Sequence, residues 1–129
     1  MTVNRYGFTL IEMLMVVVIV GLLTAISIPR IQTVRGRAFV ATMKSDLRNF
    51  AVAEESYFYD FRNYAGDVAT LRARGHGTSP GVSVLINEAT PMGWSATVSH
   101  VGTAVRCYLF TGGAAPVGAA TEDGFLTCD

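Results

Sequence analysis

The sequence predicts an α+β protein: one long N-terminal helix, membrane-length in its first half, packed on a small antiparallel β-sheet head. Three observations carry this. Residues 8–28 are almost wholly apolar. An amphipathic stripe at helical spacing follows them. Short segments with period-two alternation, separated by turn formers, fill the C-terminal half. The chain has 129 residues, which suits a single compact domain beside that first segment.

Of the 21 residues in 8–28, 16 are apolar, and the only charge is Glu12. As a helix this stretch spans about 31 Å, enough to cross a hydrocarbon core. Val16, Val17, Val18, Ile19 and Val20 favour strands in water. The run is too long for one strand, and in lipid a single segment satisfies its own backbone only as a helix. With this segment set aside, the remainder has the apolar share of an ordinary soluble domain. A polar leader of seven residues precedes the run. That arrangement fits a retained anchor better than an ordinary secretory signal. Glu12 has two readings from the residues alone. It sits at the interface, favoured by the dipole of a helix's first turn, or it meets a cation from another helix.

Gly7-Phe8-Thr9-Leu10-Ile11-Glu12, the apolar run after it and Pro29 22 residues beyond Gly7 resemble the N-terminus of type IV pilins and related pseudopilins. The resemblance covers about the first 30 residues. It implies a leader over 1–7, cleavage between Gly7 and Phe8 by a prepilin peptidase, and N-methylation of Phe8. It gives Glu12 an assembly role, facing the amine of a neighbouring subunit's Phe8. It implies that the stretch between Gly21 and Pro29 is helical in the membrane and melts, as a helix break, in the filament. It also sets the orientation. Arg5 is the only charged side chain of the leader, while Arg30, Arg35, Arg37, Lys44 and Arg48 follow the run. Counting these would leave the C-terminal side in the cytoplasm. The resemblance instead implies an inner-membrane precursor, N-in and C-out, that becomes an extracellular pilus.

The expected domains are 1–7 leader, 8–29 transmembrane and assembly helix, 30–62 amphipathic helix, and 63–129 loop and sheet. In the third, Phe39, Met43, Leu47, Phe50, Tyr57, Phe58 and Phe61 form the apolar stripe. Glu54 and Glu55 are read as lying largely off it. Turn formers from Asn63 to Asp67 end the helix. A loop with a short helix over 68–74 leads to strands at 82–87, 94–100 and 104–111. Turns at Pro91-Met92-Gly93 and Val101-Gly102-Thr103 join them. The aromatic cluster Tyr57, Phe58, Tyr59, Phe61 and Tyr64 reads as core packing and anchoring of the helix end. Residues 30–48 carry net +4 and residues 49–129 net −4, within a chain of zero net charge.

Cys107 and Cys128 are the only cysteines. A bond between them would close a loop of about 22 residues, although spacing alone does not establish one. Many type IV pilins close their C-terminal region with a disulfide, and this pair resembles that feature. A bridge would require an oxidising compartment, in keeping with C-out.

Catalytic chemistry is not indicated. His76 and His100 do not stand at metal-ligand spacing. Gly77-Thr78-Ser79-Pro80-Gly81 matches G-x-S-x-G in letters only, because Pro80 lacks the N–H an oxyanion hole needs there. Asp60, Asp67, Glu122 and Asp123 do not follow a calcium-loop spacing. No phosphate-loop motif occurs. The reading is therefore a structural, non-enzymatic subunit without cofactor or metal. Its expected partners are copies of itself, prepilin peptidase and the pilus assembly machinery. A secretion pseudopilin, or a minor or tip pilin that includes a DNA-uptake type, is the alternative. The net −4 of residues 49–129 argues against nucleic acid as a partner, with Arg72 and Arg74 as the exception.

Overall fold

The computed structural model describes residues 7–129, so the leader, apart from Gly7, and Arg5 lie outside the described residues. The element order is α1 (Leu10–Phe61), α2 (Val68–Ala73), β1 (Val82–Thr90), β2 (Gly93–His100), β3 (Arg106–Gly112) and β4 (Thr127–Cys128). The chain divides into two compact units, one ending at Arg35 and one running Gly36–Asp129.

In the first unit the residues are helical from Leu10 onward, and the apolar run is wholly exposed. The helix passes Gly21 and Pro29 without interruption. Pro29 cannot donate to the carbonyl of Ala25, so the ladder lacks a bond there. The run's hydroxyls are satisfied within it: Thr24 Oγ1 donates to the carbonyl of Val20 (2.6 Å) and Ser27 Oγ to that of Leu23 (2.8 Å). Such back-bonding hides polar groups that lipid could not solvate.

In the second unit α1 supplies a buried stripe of Met43, Leu47, Phe50 and Ala53. Met43 and Leu47 pack with Trp94, Ala96, Val98, Cys107 and Leu109 of the sheet. Phe50 and Ala53 pack with Ala65 and with Leu71 of α2. Two expectations for the stripe need correction. Phe61 is 57% exposed, whereas Glu54 is fully buried. Glu54 lies seven residues after Leu47, hence on the same face. Its burial is tolerated because Oε2 accepts the N–H of Ala65 (2.8 Å), where the chain folds back after the helix.

The helix ends at Arg62, which takes a left-handed φ of 56° while its N–H still reaches the carbonyl of Phe58 (2.8 Å). The aromatic cluster closes this end. Tyr57 meets Phe61 at 4.5 Å and Phe58 stacks on Tyr64 at 4.7 Å. Arg74 stands over Tyr57 and Phe61 and pairs with Asp60. Asp67 caps α2 by accepting the N–H of Thr70 (2.7 Å), and that bond holds its carboxyl below the usual range.

The sheet order is β1-β2-β3-β4, antiparallel throughout. The three expected strands are present with shifted ends. β1 continues past Asn87 because a bulge between Ile86 and Glu88 absorbs one residue and restores the pairing. Gly93 belongs to β2 rather than to the turn, and a Cβ there would lie 2.1 Å from the carbonyl oxygen of Thr111. β3 starts at Arg106, after the loop that follows His100. The fourth strand has no counterpart in the sequence reading. Two residues are too few to show alternation.

Burial raises the Glu54 carboxyl from 4.5 to about 7; the Ala65 N–H opposes this and the neighbouring Glu55 adds to it. Between these values the folded chain binds more protons than the unfolded one. Stability is therefore expected to fall as pH rises from about 4.5 to about 7, and to level off beyond. Denaturant midpoints across that range check this. Glu54→Gln should flatten the slope.

Candidate functional site

The start of α1 is built from Phe8, Thr9 and Glu12. Thr9 sits just before the helix, and Glu12 is its third residue. Glu12 Oε2 accepts from the Thr9 N–H (2.8 Å) and from Thr9 Oγ1 (2.8 Å), while Thr9 Oγ1 accepts the Glu12 N–H (3.3 Å). This reciprocal pair is a capping box, which satisfies otherwise orphaned helix donors. Its signal, T-x-x-E, stands in the sequence at Thr9 to Glu12. Glu12 therefore has a local partner in the single chain. Its side chain nonetheless remains exposed beside Phe8, which is 79% exposed.

The glycines of this region are not required by local packing. A Cβ placed on Gly7 or Gly21 would meet nothing within 4 Å. Glycine inside a helix costs about 1 kcal/mol relative to alanine, so any benefit of Gly21 lies outside the single chain. From Met13 to Ile28 the exposed surface carries no charge and presents large apolar side chains all round the helix, a property of helices that are surrounded by lipid or by other helices.

At the other end of the chain the structure brings Cys107 and Cys128 together as a disulfide. They are direct partners between β3 and β4. Arg106 and Asp129 beside them exchange both backbone hydrogen bonds, at 3.3 and 3.1 Å. The tail is further fixed by Asp123, whose Oδ1 accepts the Gly112 N–H (2.9 Å), and by the Gly124 N–H, which donates to Phe110 (2.9 Å).

Two polar anchors were missed by sequence reasoning. One is Glu54. The other is buried Asp46, which accepts from the N–H (2.7 Å) and the hydroxyl (2.8 Å) of Ser79. Ser79 thus ties its loop to α1, and β1 follows rather than a helix. Asp46 sits between stripe positions Met43 and Leu47, and no pattern in the sequence distinguishes it from a solvated charge.

The prokaryotic N-terminal methylation motif matches residues 3–28. The chain is 31% identical over 103 residues to the type IV wide pilus major component of Thermus thermophilus, covering 79% of each chain. The chain belongs to the type IV pilin family. It is also 34% identical over 76 residues to the type IV major pilin protein of Myxococcus xanthus, across 57% of this chain and 34% of that one. With the type II secretion system core protein G of Pseudomonas aeruginosa it shares 36% identity over 70 residues, 54% of this chain and 49% of that one. Membership in this pilin family implies polymerisation and processing by prepilin peptidase. The motif and the apolar helix fit a membrane-anchored precursor.

Proposed function

We propose that this pilin is a structural subunit of a bacterial surface type IV pilus. The observation that carries the proposal is the match to a wide-pilus major component across most of both chains. In this reading the peptidase cuts between Gly7 and Phe8, the new amine of Phe8 is methylated, and residues 8–29 wait in the inner membrane with the head outside. Assembly then exchanges lipid for a bundle of identical helices. Glu12 trades its capping contacts for the Phe8 amine of a neighbour. Gly21 and Pro29 mark where the helix can open, since glycine is a poor helix former and proline donates no ladder hydrogen bond. Contacts of this kind do not close into a ring and so generate an open filament. The working role is adhesion or motility. Mass spectrometry of the main band of sheared surface filaments tests the reading. The expected chain begins at N-methylated Phe8. A different protein in that band, or a chain that keeps residues 1–7, overturns it.

The match to a secretion core protein favours a pseudopilin as the second reading. The Cys107–Cys128 bridge favours the pilus, because it is the C-terminal closure expected of many type IV pilins. Deletion of the gene separates the two: loss of surface filaments supports the first, and a secretion defect with normal filaments supports the second. A DNA-uptake role is weakened by Arg72 and Arg74. Arg72 donates to Thr78 Oγ1 (3.2 Å), and Arg74 is engaged with Asp60 and two rings.

The charge division adds a testable contact. The basic stretch 30–48 of one subunit fits the acidic remainder of another. Raising salt from about 0.1 to 1 M shortens the screening length from about 10 to 3 Å. Filaments are expected to loosen over that range, as read by light scattering and electron microscopy.

A further inference from the structure

Among the described residues, three buried side-chain atoms have no hydrogen-bond partner: Glu54 Oε1, Trp94 Nε1 and Thr111 Oγ1. They belong to three different elements, yet the fold brings them to one end of the core. Trp94 and Thr111 are direct partners in the β2–β3 register. Both therefore stand on one face of the sheet, together with Leu109 and Ala96, which pack toward α1. The packing of α1 along that face has a fixed sense. At one end Phe39 stacks on His100 at 4.1 Å. At the other, the Tyr64 ring lies 6.5 Å from that of Trp94. Glu54 belongs to the second end, because its Oε2 holds the N–H of Ala65, the residue after Tyr64.

An orphaned buried polar atom forfeits its hydration without return, and such atoms are few in native domains. Their types are complementary. The indole is a donor only, the carboxylate oxygen accepts, and the hydroxyl can accept. A water molecule accepts one hydrogen bond from the indole and donates two, to the carboxylate and the hydroxyl, the usual number for a buried water. We propose that Glu54, Trp94 and Thr111 line one internal site at this end of the head, and that ordered water occupies it. The site joins α1, β2 and β3 through hydrogen bonds that none of them makes directly. It lies beside the turn where the chain leaves α1, so the water fixes the end of the helix against the sheet.

Glu54 makes the site sensitive to protons. A neutral carboxyl can donate to the water, while a carboxylate only accepts, so ionisation changes the hydrogen-bond pattern seen by the indole. Glu55 on α1 is the charged neighbour that raises Glu54, and Glu55, Glu54 and Asp123 of the C-terminal region all act on the Tyr64 hydroxyl. Tyr64 donates to Glu55 Oε1 (3.1 Å), and its own hydroxyl is pushed up, first by burial and then by these carboxylates. Trp94 and Thr111 themselves do not titrate. The one ion pair among the described residues, Arg74–Asp60, involves none of these groups.

The chain holds a single tryptophan, so its indole N–H gives one assignable signal. The test is NMR of the full chain in detergent micelles, with the indole nitrogen labelled. The indole proton is expected to show a cross-peak to bound water, and its shift is expected to titrate with a midpoint near 7. Glu54→Gln should keep the cross-peak and abolish that titration. Thr111→Val, which preserves shape, should weaken the cross-peak and leave the titration in place. Absence of the water cross-peak in the unaltered chain overturns the proposal. So does a titration that survives Glu54→Gln, or a cross-peak indifferent to Thr111→Val.

Discussion

Glu12→Ala and Glu12→Gln are both expected to leave cells without normal filaments while the chain is still cut after Gly7. The pair of variants separates two roles that the geometry superimposes. Glu12 closes a capping box with Thr9 at 2.8 Å, so part of any alanine effect is loss of that capping contact. Glutamine keeps an oxygen in the same place and can accept the same two hydrogen bonds. What it lacks is charge. If Glu12 serves assembly by meeting the amine of a neighbouring Phe8, glutamine removes that ion pair. Its loss recurs at every subunit, so a modest deficit per contact ends polymer growth. Electron microscopy counts the filaments, and N-terminal mass spectrometry of the membrane fraction reports cleavage. Normal filaments from Glu12→Gln would reduce Glu12 to a capping residue.

The parts of this fold that follow a period were legible in the sequence. The apolar run, the stripe through Met43, Leu47 and Phe50 and the alternation in β1 and β2 each repeat often enough to declare their element. The shared family N-terminus was legible for a different reason: its letters are specific. Features that depend on one contact were not legible. Glu54 falls on a core position yet carries a charge, and only the fold-back to Ala65 explains its burial. Asp46 is buried because Ser79, 33 residues away, turns both its donors toward it. β4 exists as the partner of Cys107 and Tyr108 and not through its own two residues. At the N-terminus the capping box is local: Thr9 and Glu12 lie three residues apart, and the T-x-x-E pattern stands in the sequence itself.

Cys107→Ala with Cys128→Ala is expected to lower the stability of the head by about 3 kcal/mol, the entropy of leaving a loop of this size open in the unfolded chain. The native chain gives a second reason for a large effect. β4 has two residues, and a strand that short does not hold its place by backbone pairing alone. The other attachments of this C-terminal end include the Arg106–Asp129 exchange, the Tyr108 hydroxyl donating to Asp129 Oδ2 (3.3 Å), Gly124 to Phe110 and Asp123 to Gly112. Leu126 packs on the main core, whereas Phe125 is exposed. Ala114 and Ala120 are buried with Phe110, so residues 113–120 have a small core of their own, and it is residues 121–129 that depend on the bridge more than on burial. Loss of about 3 kcal/mol shifts the melting temperature of a domain this size by roughly 12–24 °C. Limited proteolysis of the detergent-solubilised full chain should then find new cuts after Ala120, while the stripe from Met43 to Ala53 stays protected. Dithiothreitol acting on the unaltered chain should reproduce both effects, and the variant should ignore it. Equal melting temperatures with and without the bridge would mean that the tail is held by its hydrogen bonds. The bridge would then be a mark of the oxidising side of the membrane, without a part in the strength of the head.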